Sequence, residues 1–269
     1  MKDLMGRVAV VTGAGSGIGH ATSLEFARKG CALALVDVSE DGLATTRAAV
    51  EALGAKASVH VADVSNADRM ATLPGEVIGH HGACHILVNN AGVVSIGRFA
   101  DESIDDIRWI VGINVFGALH GCHYFLPVLR EADTAHIVNV SSMAAFAGLP
   151  QNATYSLTKG AVRSLTEALR AELVGTSVGV SALFPGAVGT DIMERARGSQ
   201  AERVAAFGRK PVAKLFRRPP EAAARQIVRA VEHDRARVLL GPDARMLDVA
   251  ARILPGRTRL LGRAIDLIT

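Results

Sequence analysis

The stretch Val8-Ala9-Val10-Val11-Thr12-Gly13-Ala14-Gly15-Ser16-Gly17-Ile18-Gly19 decides the fold. Its first five residues form a short apolar run, its middle is rich in glycine, and from Ile18 the apolar residues Ala21, Leu24 and Ala27 recur at helical spacing up to Gly30. A buried strand that feeds a helix through glycines lets the backbone turn sharply and approach a pyrophosphate. The helix start then supplies free N–H groups and a partial positive charge. The spacing Gly13, Gly17, Gly19 is not the literal G-x-G-x-x-G pattern, and His20-Ala21 stands where a Walker loop needs Lys and Ser or Thr. A tight turn without a ligand is the plain alternative.

Outward from this unit the pattern repeats. Residues 33–36 read as a second strand closed by Asp37, and residues 43–53 as a helix with Gly54 at the expected C-terminal cap. Residues 58–62 form a third strand ending at Asp63, and residues 86–88 a fourth running into Asn89-Asn90-Ala91-Gly92. Residues 104–129 are helical in pattern, with Asn114 and Gly117 inside. Residues 137–140, 180–184 and 238–240 supply three further strands. Short apolar strands alternating with helices predict a doubly wound α/β fold, a seven-stranded parallel sheet with helices on both faces.

The composition fits that fold. The chain has 269 residues, 49% hydrophobic and 21% charged, enough for one large α/β domain or two small ones. Aromatic residues are 4%, so the core must be aliphatic. The three cysteines, Cys31, Cys84 and Cys122, are an odd number at wide spacing, which argues against a disulfide framework. The N-terminus carries no long apolar run before a cleavage site, and no 18-residue apolar run occurs, so a soluble cytoplasmic protein is expected. From Arg209 onward 14 basic residues face 6 acidic ones, so the net charge of +4 belongs to the tail. Aromatic residues are not interleaved with it, which speaks against a nucleic-acid surface.

A second stretch carries chemistry. In Ser141–Val162, SSMAAFAGLPQNATYSLTKGAV, Tyr155 and Lys159 stand one helical turn apart, just after a strand that ends in serines. A free phenol titrates at about 10, so a base near neutral pH needs about 4 kcal/mol of help. Two unit charges about 4 Å apart at an effective dielectric near 20 supply about that much. Taken alone, Tyr155 could equally pack while Lys159 faces solvent. Asp37 follows the second strand, 24 residues after Gly13, where a carboxylate can accept bonds from an adenosine ribose. It would repel a 2′-phosphate, and Ser16, Val38 and Ser39 bring no compensating base, which favours NAD over NADP. The alternative for Asp37 is a helix cap.

Together these residues resemble the short-chain dehydrogenase/reductase family, over about Gly6 to Gly241. Thr12-Gly13-x-x-x-Gly17-x-Gly19, with Ser16 and Ile18, looks like the family's cofactor turn. Asp63-Val64 matches the adenine-holding position, and Asn89-Asn90-Ala91-Gly92 the segment beside the cofactor. Pro185, Gly186, Val188 and Thr190 match the stretch that closes over the nicotinamide. Asn114, Ser142, Tyr155 and Lys159 match the catalytic tetrad, Ser142 being preferred to Ser141 because it lies 13 residues before Tyr155.

The resemblance implies an NAD-dependent oxidoreductase interconverting a secondary alcohol and a ketone. Tyr155 would act as acid or base, Lys159 would lower its pKa and hold the nicotinamide ribose, Ser142 would bond the substrate oxygen, and Asn114 would anchor a relay water. It also implies a homodimer or homotetramer paired through the long helices around Asn114 and Tyr155. Residues 1–242 would form the domain, with a variable lid at about 190–219 whose Ile192, Met193, Val204 and Phe207 lean toward a hydrophobic substrate. A nucleotide-sensing or scaffold protein that kept the pocket without turnover is the alternative, and a Ser142 hydrolase lacks the G-x-S-x-G elbow.

Two departures stand out. His85 occupies a position where the family usually has Asp; with His80, His81 and Cys84 it makes HHGACH, whose crowded spacing does not suit zinc, so no metal is expected. Cys122 and His123 read as core or interface residues. The second departure is the tail, residues 243–269, read as a basic amphipathic extension. Met246, Leu247, Val249, Ala250, Ile253 and Leu254 make one apolar patch, and Leu260, Leu261, Ile265, Leu267 and Ile268 another. It either packs on the body or a neighbouring subunit, or contacts a membrane surface or covers a pocket.

Overall fold

In the computed structural model, which describes residues 1–203, 206 and 217–256, the strands are β1 Val8–Thr12, β2 Ala32–Asp37, β3 Ala57–Val61, β4 Ile86–Asn89, β5 Ala135–Val140, β6 Val178–Pro185 and β7 Arg237–Leu240. They form one seven-stranded sheet in the order β3-β2-β1-β4-β5-β6-β7, every pairing parallel. The order reverses between β1 and β4, and such a switch point opens a crevice at the carboxyl ends of the strands.

Alternation along each strand explains the two helical layers. Ala9 and Val11 of β1, Leu33 and Leu35 of β2, and Ile86 and Val88 of β4 pack on one side with α1 (Gly17–Arg28), α2 (Glu40–Ala52) and α7 (Pro220–His233). Val8, Val10, Ala34, Val36 and Leu87 point the other way, toward α3 (Ala67–His81) and α5 (Gly117–Arg130), with Leu165 and Leu169 of α6 (Ala153–Glu172) packed alongside. Both faces of the sheet are therefore covered, and its strands are near-continuous apolar runs.

The helices at 67–81 and 220–233 have no counterpart in the sequence reading. The first is interrupted in pattern by Pro74 and Gly79, yet Met70, Leu73 and Val77 make a buried stripe and the Asn66 side chain caps its start. The expected helix over 104–129 is divided: α4 (Ile104–Val111) runs into a π turn at Gly112–Phe116 before α5. Among the described residues, Ile104–Arg130 is the one stretch long and apolar enough to cross a membrane. Its Phe125 and Leu129 are buried in the core beside the sheet. All three cysteines are buried and free, their thiols pushed up to about 12, 12 and 11 for Cys31, Cys84 and Cys122 by burial.

Candidate active site

The switch point is built first by Thr12. Its Oγ1 accepts from the Asn90 and Ala91 amides, each at 3.0 Å, while Asn90 Nδ2 donates to the Thr12 carbonyl at 2.9 Å. Gly13 turns at φ +66, and a side chain there would strike Asn90 and Ala91. A Cβ at residue 19 would lie 2.0 Å from the Gly13 carbonyl oxygen, so α1 starts hard against the turn. Ser16 precedes α1 without capping it, and no acidic side chain occupies the first turn. Those amides keep their donors and their positive end.

Asp37 ends β2 with its Oδ2 accepting the Gly15 N–H at 2.8 Å and its Oδ1 the Ser39 N–H at 3.0 Å. It holds the glycine turn; the cap of α2 is Ser39 itself, whose side chain accepts from Gly42. Asp63 Oδ1 accepts from the Ser65 amide at 2.8 Å and from its hydroxyl at 2.7 Å.

A cleft of about 620 Å³ lies along this edge. It is lined by Gly13, Ser16, Gly17, Ile18, Asp37, Asp63 and Val64, then by Asn90, Ala91 and Gly92, and on the far side by Ser142, Tyr155, Lys159, Pro185, Gly186, Val188 and Thr190. Gly19 and Asn114 do not line it. Gly19 packs on the turn instead, and Asn114 is buried in the π turn, 2% exposed. Asn114 Oδ1 accepts from the Val93 amide at 2.8 Å; its Nδ2 donates to the Val93 carbonyl at 2.9 Å and to Thr158 Oγ1 at 3.1 Å. Both N–H groups of the carboxamide are thus used to fasten the 93 loop to α6.

The start of α6 is stitched to the end of β5. Lys159 Nζ donates to the Val140 carbonyl at 3.1 Å, and Ser141 Oγ donates to the Lys159 carbonyl at 2.8 Å. Ser141 is thereby a structural hydroxyl, whereas Ser142 lines the cleft with Tyr155, its Oγ accepting the Ala144 N–H at 3.2 Å. Burial pulls Lys159 down to about 8. Burial also pushes the phenol up, against the opposing pull of the Ser142 hydroxyl. The expected lowering of the phenol by Lys159 is therefore not the dominant effect in this geometry. Exclusion of water outweighs it, the ammonium being 5.8 Å from the Tyr155 ring centre and engaged by the Val140 carbonyl.

Glu102 and Asp243 also shape the site, and the sequence reading named neither as a site residue. Glu102 accepts from the Ser95 and Thr154 hydroxyls, tying the loop after β4 to the start of α6. Its bonds join segments 52 residues apart, which no local spacing signals.

The sequence profile of the short chain dehydrogenase family matches residues 7–201. The chain is 36% identical to a Mycobacterium tuberculosis (strain ATCC 25618 / H37Rv) protein provisionally named as an oxidoreductase, SadH, over 94% of this chain and 93% of that one. The chain belongs to the short-chain dehydrogenase family. A short-chain dehydrogenase/reductase from Burkholderia phymatum, solved with NAD, has a TM-score of 0.87 at 33% identity, with 97% of each chain covered. A short-chain dehydrogenase from Mycobacterium paratuberculosis bound to NAD gives 0.81 at 25% identity, covering 91% of this chain and 99% of that one.

In this short-chain dehydrogenase His85, the expected departure from the family pattern, is tied to β1. The imidazole Nδ1 accepts the Val8 N–H at 3.1 Å, and burial, with Arg7 nearby, pulls its pKa down and keeps it a neutral acceptor. His60, His81 and Ser58 form a separate cluster at the β3 edge. Ser58 Oγ lies 2.8 Å from Nε2 of both rings, and His60 Nδ1 lies 2.9 Å from Glu76, which Arg69 holds at 2.6 Å. None of these residues lines the cleft.

Of the lid, residues 190–203, 206 and 217–219 are described; Val204 and Phe207 lie outside the described residues, as do Leu260, Leu261, Ile265, Leu267 and Ile268 of the tail. Ile192 and Met193 line the cleft, and Arg197 lies 4.1 Å from the centre of the Trp109 ring. The tail begins as α8 (Pro242–Ile253), which meets the body through a face other than the expected apolar patch. Ala244 is buried, Leu247, Asp248 and Ala251 half-buried, while Met246 is 74% and Ile253 70% exposed. The i, i+3/i+4, i+7 stripe beginning at Ala244 faces the body because Asp248 pairs with Arg237 at 2.9 Å.

Proposed function

We propose that this short-chain dehydrogenase is an NAD-dependent oxidoreductase that interconverts a secondary alcohol and a ketone, with Tyr155 moving the proton. The observation that carries the reading is that Ser142, Tyr155 and the buried Lys159 line the same cleft as the glycine turn. The cleft's volume suits a ligand of this size class. The uncapped start of α1 suits a pyrophosphate. Asp37 and Asp63 would hold the adenosine end, Asn90 and Lys159 the nicotinamide ribose, and Pro185 to Thr190 the ring. When bound, the nicotinamide supplies or accepts the hydride at the carbinol carbon.

In oxidation the Tyr155 oxygen takes the substrate hydroxyl proton, and in reduction it returns one to the ketone oxygen. Ser142 donates a hydrogen bond to the same oxygen. Lys159, at about 8, stays cationic near neutral pH and stabilises the phenolate. Asn114 acts by fixing Val93 and Thr158, since both its N–H groups are already committed. NAD is favoured by the Asp37 carboxylate at the end of β2, and the two NAD-bound relatives support a dinucleotide of this kind. Val94, Trp109, Ile192 and Met193 in the cleft favour an apolar substrate. The exposed Phe116 at the end of the π turn, Leu119 on α5 and Leu157 on α6 favour pairing of subunits through those helices. The free, buried thiols fit a cytoplasmic setting.

Tyr155→Phe tests the reading. Turnover in an NADH absorbance assay with a ketone panel should fall about 10³-fold, with NADH affinity nearly intact. A mutant retaining more than a few per cent of the rate refutes the role of Tyr155.

A further inference from the structure

The second residue of α8 reaches back into the cleft wall. Asp243 Oδ2 accepts the Ala187 N–H at 2.7 Å, across 56 residues of sequence. The carboxylate fits there because residues 186 and 241 have no side chain: a Cβ at either would lie 2.1 Å from one of its oxygens, and Gly241 sits at φ +109. Gly186, Ala187, Val188 and Thr190 all line the cleft. Backbone bonds hold the flanks of this segment, Gly186 N–H to the Leu240 carbonyl at 2.9 Å and Arg218 N–H to the Ala187 carbonyl at 3.0 Å. The Ala187 N–H itself is held by the Asp243 side chain, in a bond strengthened by the carboxylate's charge. Asp243 Oδ1 is buried without a partner among the described residues. An acid kept in so tight a space, on a helix anchored separately by Asp248, is placed to set the wall rather than to hold the helix.

We propose that Asp243 is a positioning residue of the dinucleotide site: its carboxylate fixes the 186–187 amide, and with it the wall against which the nicotinamide end rests. The proposal depends on the cleft being the NAD site. The C-terminal helix is then part of the cofactor site.

The test compares the parent with Asp243→Ala, Asp243→Asn and Asp248→Ala, by NADH fluorescence titration, by KM for NAD against kcat, and by hydrogen exchange of the Ala187 amide without ligand. Asp243→Ala should weaken NADH binding and raise KM for NAD about tenfold, with kcat changing less. Asn keeps an acceptor oxygen and should recover most of the loss. Asp248→Ala should lower the melting temperature while leaving NADH affinity within about twofold. Asp243→Ala binding NADH as the parent does, or an Asn variant as weak as Ala, overturns the proposal. An Ala187 amide that exchanges equally fast in the parent and in Asp243→Ala also overturns it. A parent that binds no NADH instead overturns the NAD reading, and faster Ala187 exchange in Asp243→Ala would still stand as proof of the clamp.

Discussion

Two regions of this molecule put a serine hydroxyl beside an ionisable partner, and they make an instructive pair. At the β3 edge, Glu76, His60 and Ser58 form a carboxylate–imidazole–hydroxyl chain with bonds of 2.9 and 2.8 Å. At the end of β5, Ser142 and Tyr155 line the cleft, with the Lys159 ammonium 5.8 Å from the phenol ring centre. By residue type alone the first looks the better machine. Yet Ser58 is inside a strand, and its oxygen is shared with His81 at 2.8 Å. One hydroxyl has one proton, so one ring accepts it and the other donates. With His60 donating from Nδ1 to Glu76, His81 must donate from Nε2, and its Nδ1 is indeed buried without a partner. That network is closed on itself, whereas the Ser142 group opens into a cleft beside a glycine turn. A reactive constellation needs a place for its substrate before its chemistry counts.

The sharpest way to break this contrast is Lys159→Met. Turnover should fall about 10³-fold, while the melting temperature holds or rises, because a buried cation is replaced by an apolar group of similar size. A Lys159→Met enzyme with parental kcat would remove the distinction between the two regions. The carboxylates offer the next comparison. Asp37→Ser should shift the NADP over NAD preference about 100-fold toward NADP, by relief of several kcal/mol of repulsion, whereas Glu76→Gln should change neither affinity. Glu76→Gln should instead cost about 1–2 kcal/mol in urea unfolding, with kcat unchanged.

A further comparison is pH-dependent. Burial pulls His81 and His136 down to about 4 and lowers His60 as well. Between about 6.5 and 4 the unfolded chain therefore binds protons that the folded chain refuses, so stability falls as pH drops through that window. For His136, 2% exposed, the loss by pH 5 is of order 2 kcal/mol. Glu76, pulled down to about 2 chiefly by Arg69, loses its contribution only below about 4.5. Unfolding midpoints measured from pH 7 to 4 check this, and His136→Gln should flatten the upper part of the curve.

The sheet was legible because its strands are buried on both faces and so appear as unbroken apolar runs; Val8–Thr12 matches its expected bounds. Gly13, Asp37 and Tyr155 were legible because each chemistry needs a particular residue type at a particular element end. What escaped depends on contacts between distant segments. The α3 stripe of Met70, Leu73 and Val77 is obscured by Pro74 and two glycines. The π turn adds one residue to a helix, too small a change for periodicity to register. The outward face of α8 is set by Arg237, and the hold on Ala187 by Asp243, both beyond the reach of local pattern.

The bond between Asp243 and Ala187 has a consequence for how the molecule is made. A ribosome delivers the chain from its amino end, so all seven strands precede residue 243 out of the tunnel. The hydrophobic layers can begin to assemble before then, while one wall of the crevice still awaits its fastening from the helix that follows the last strand of the sheet.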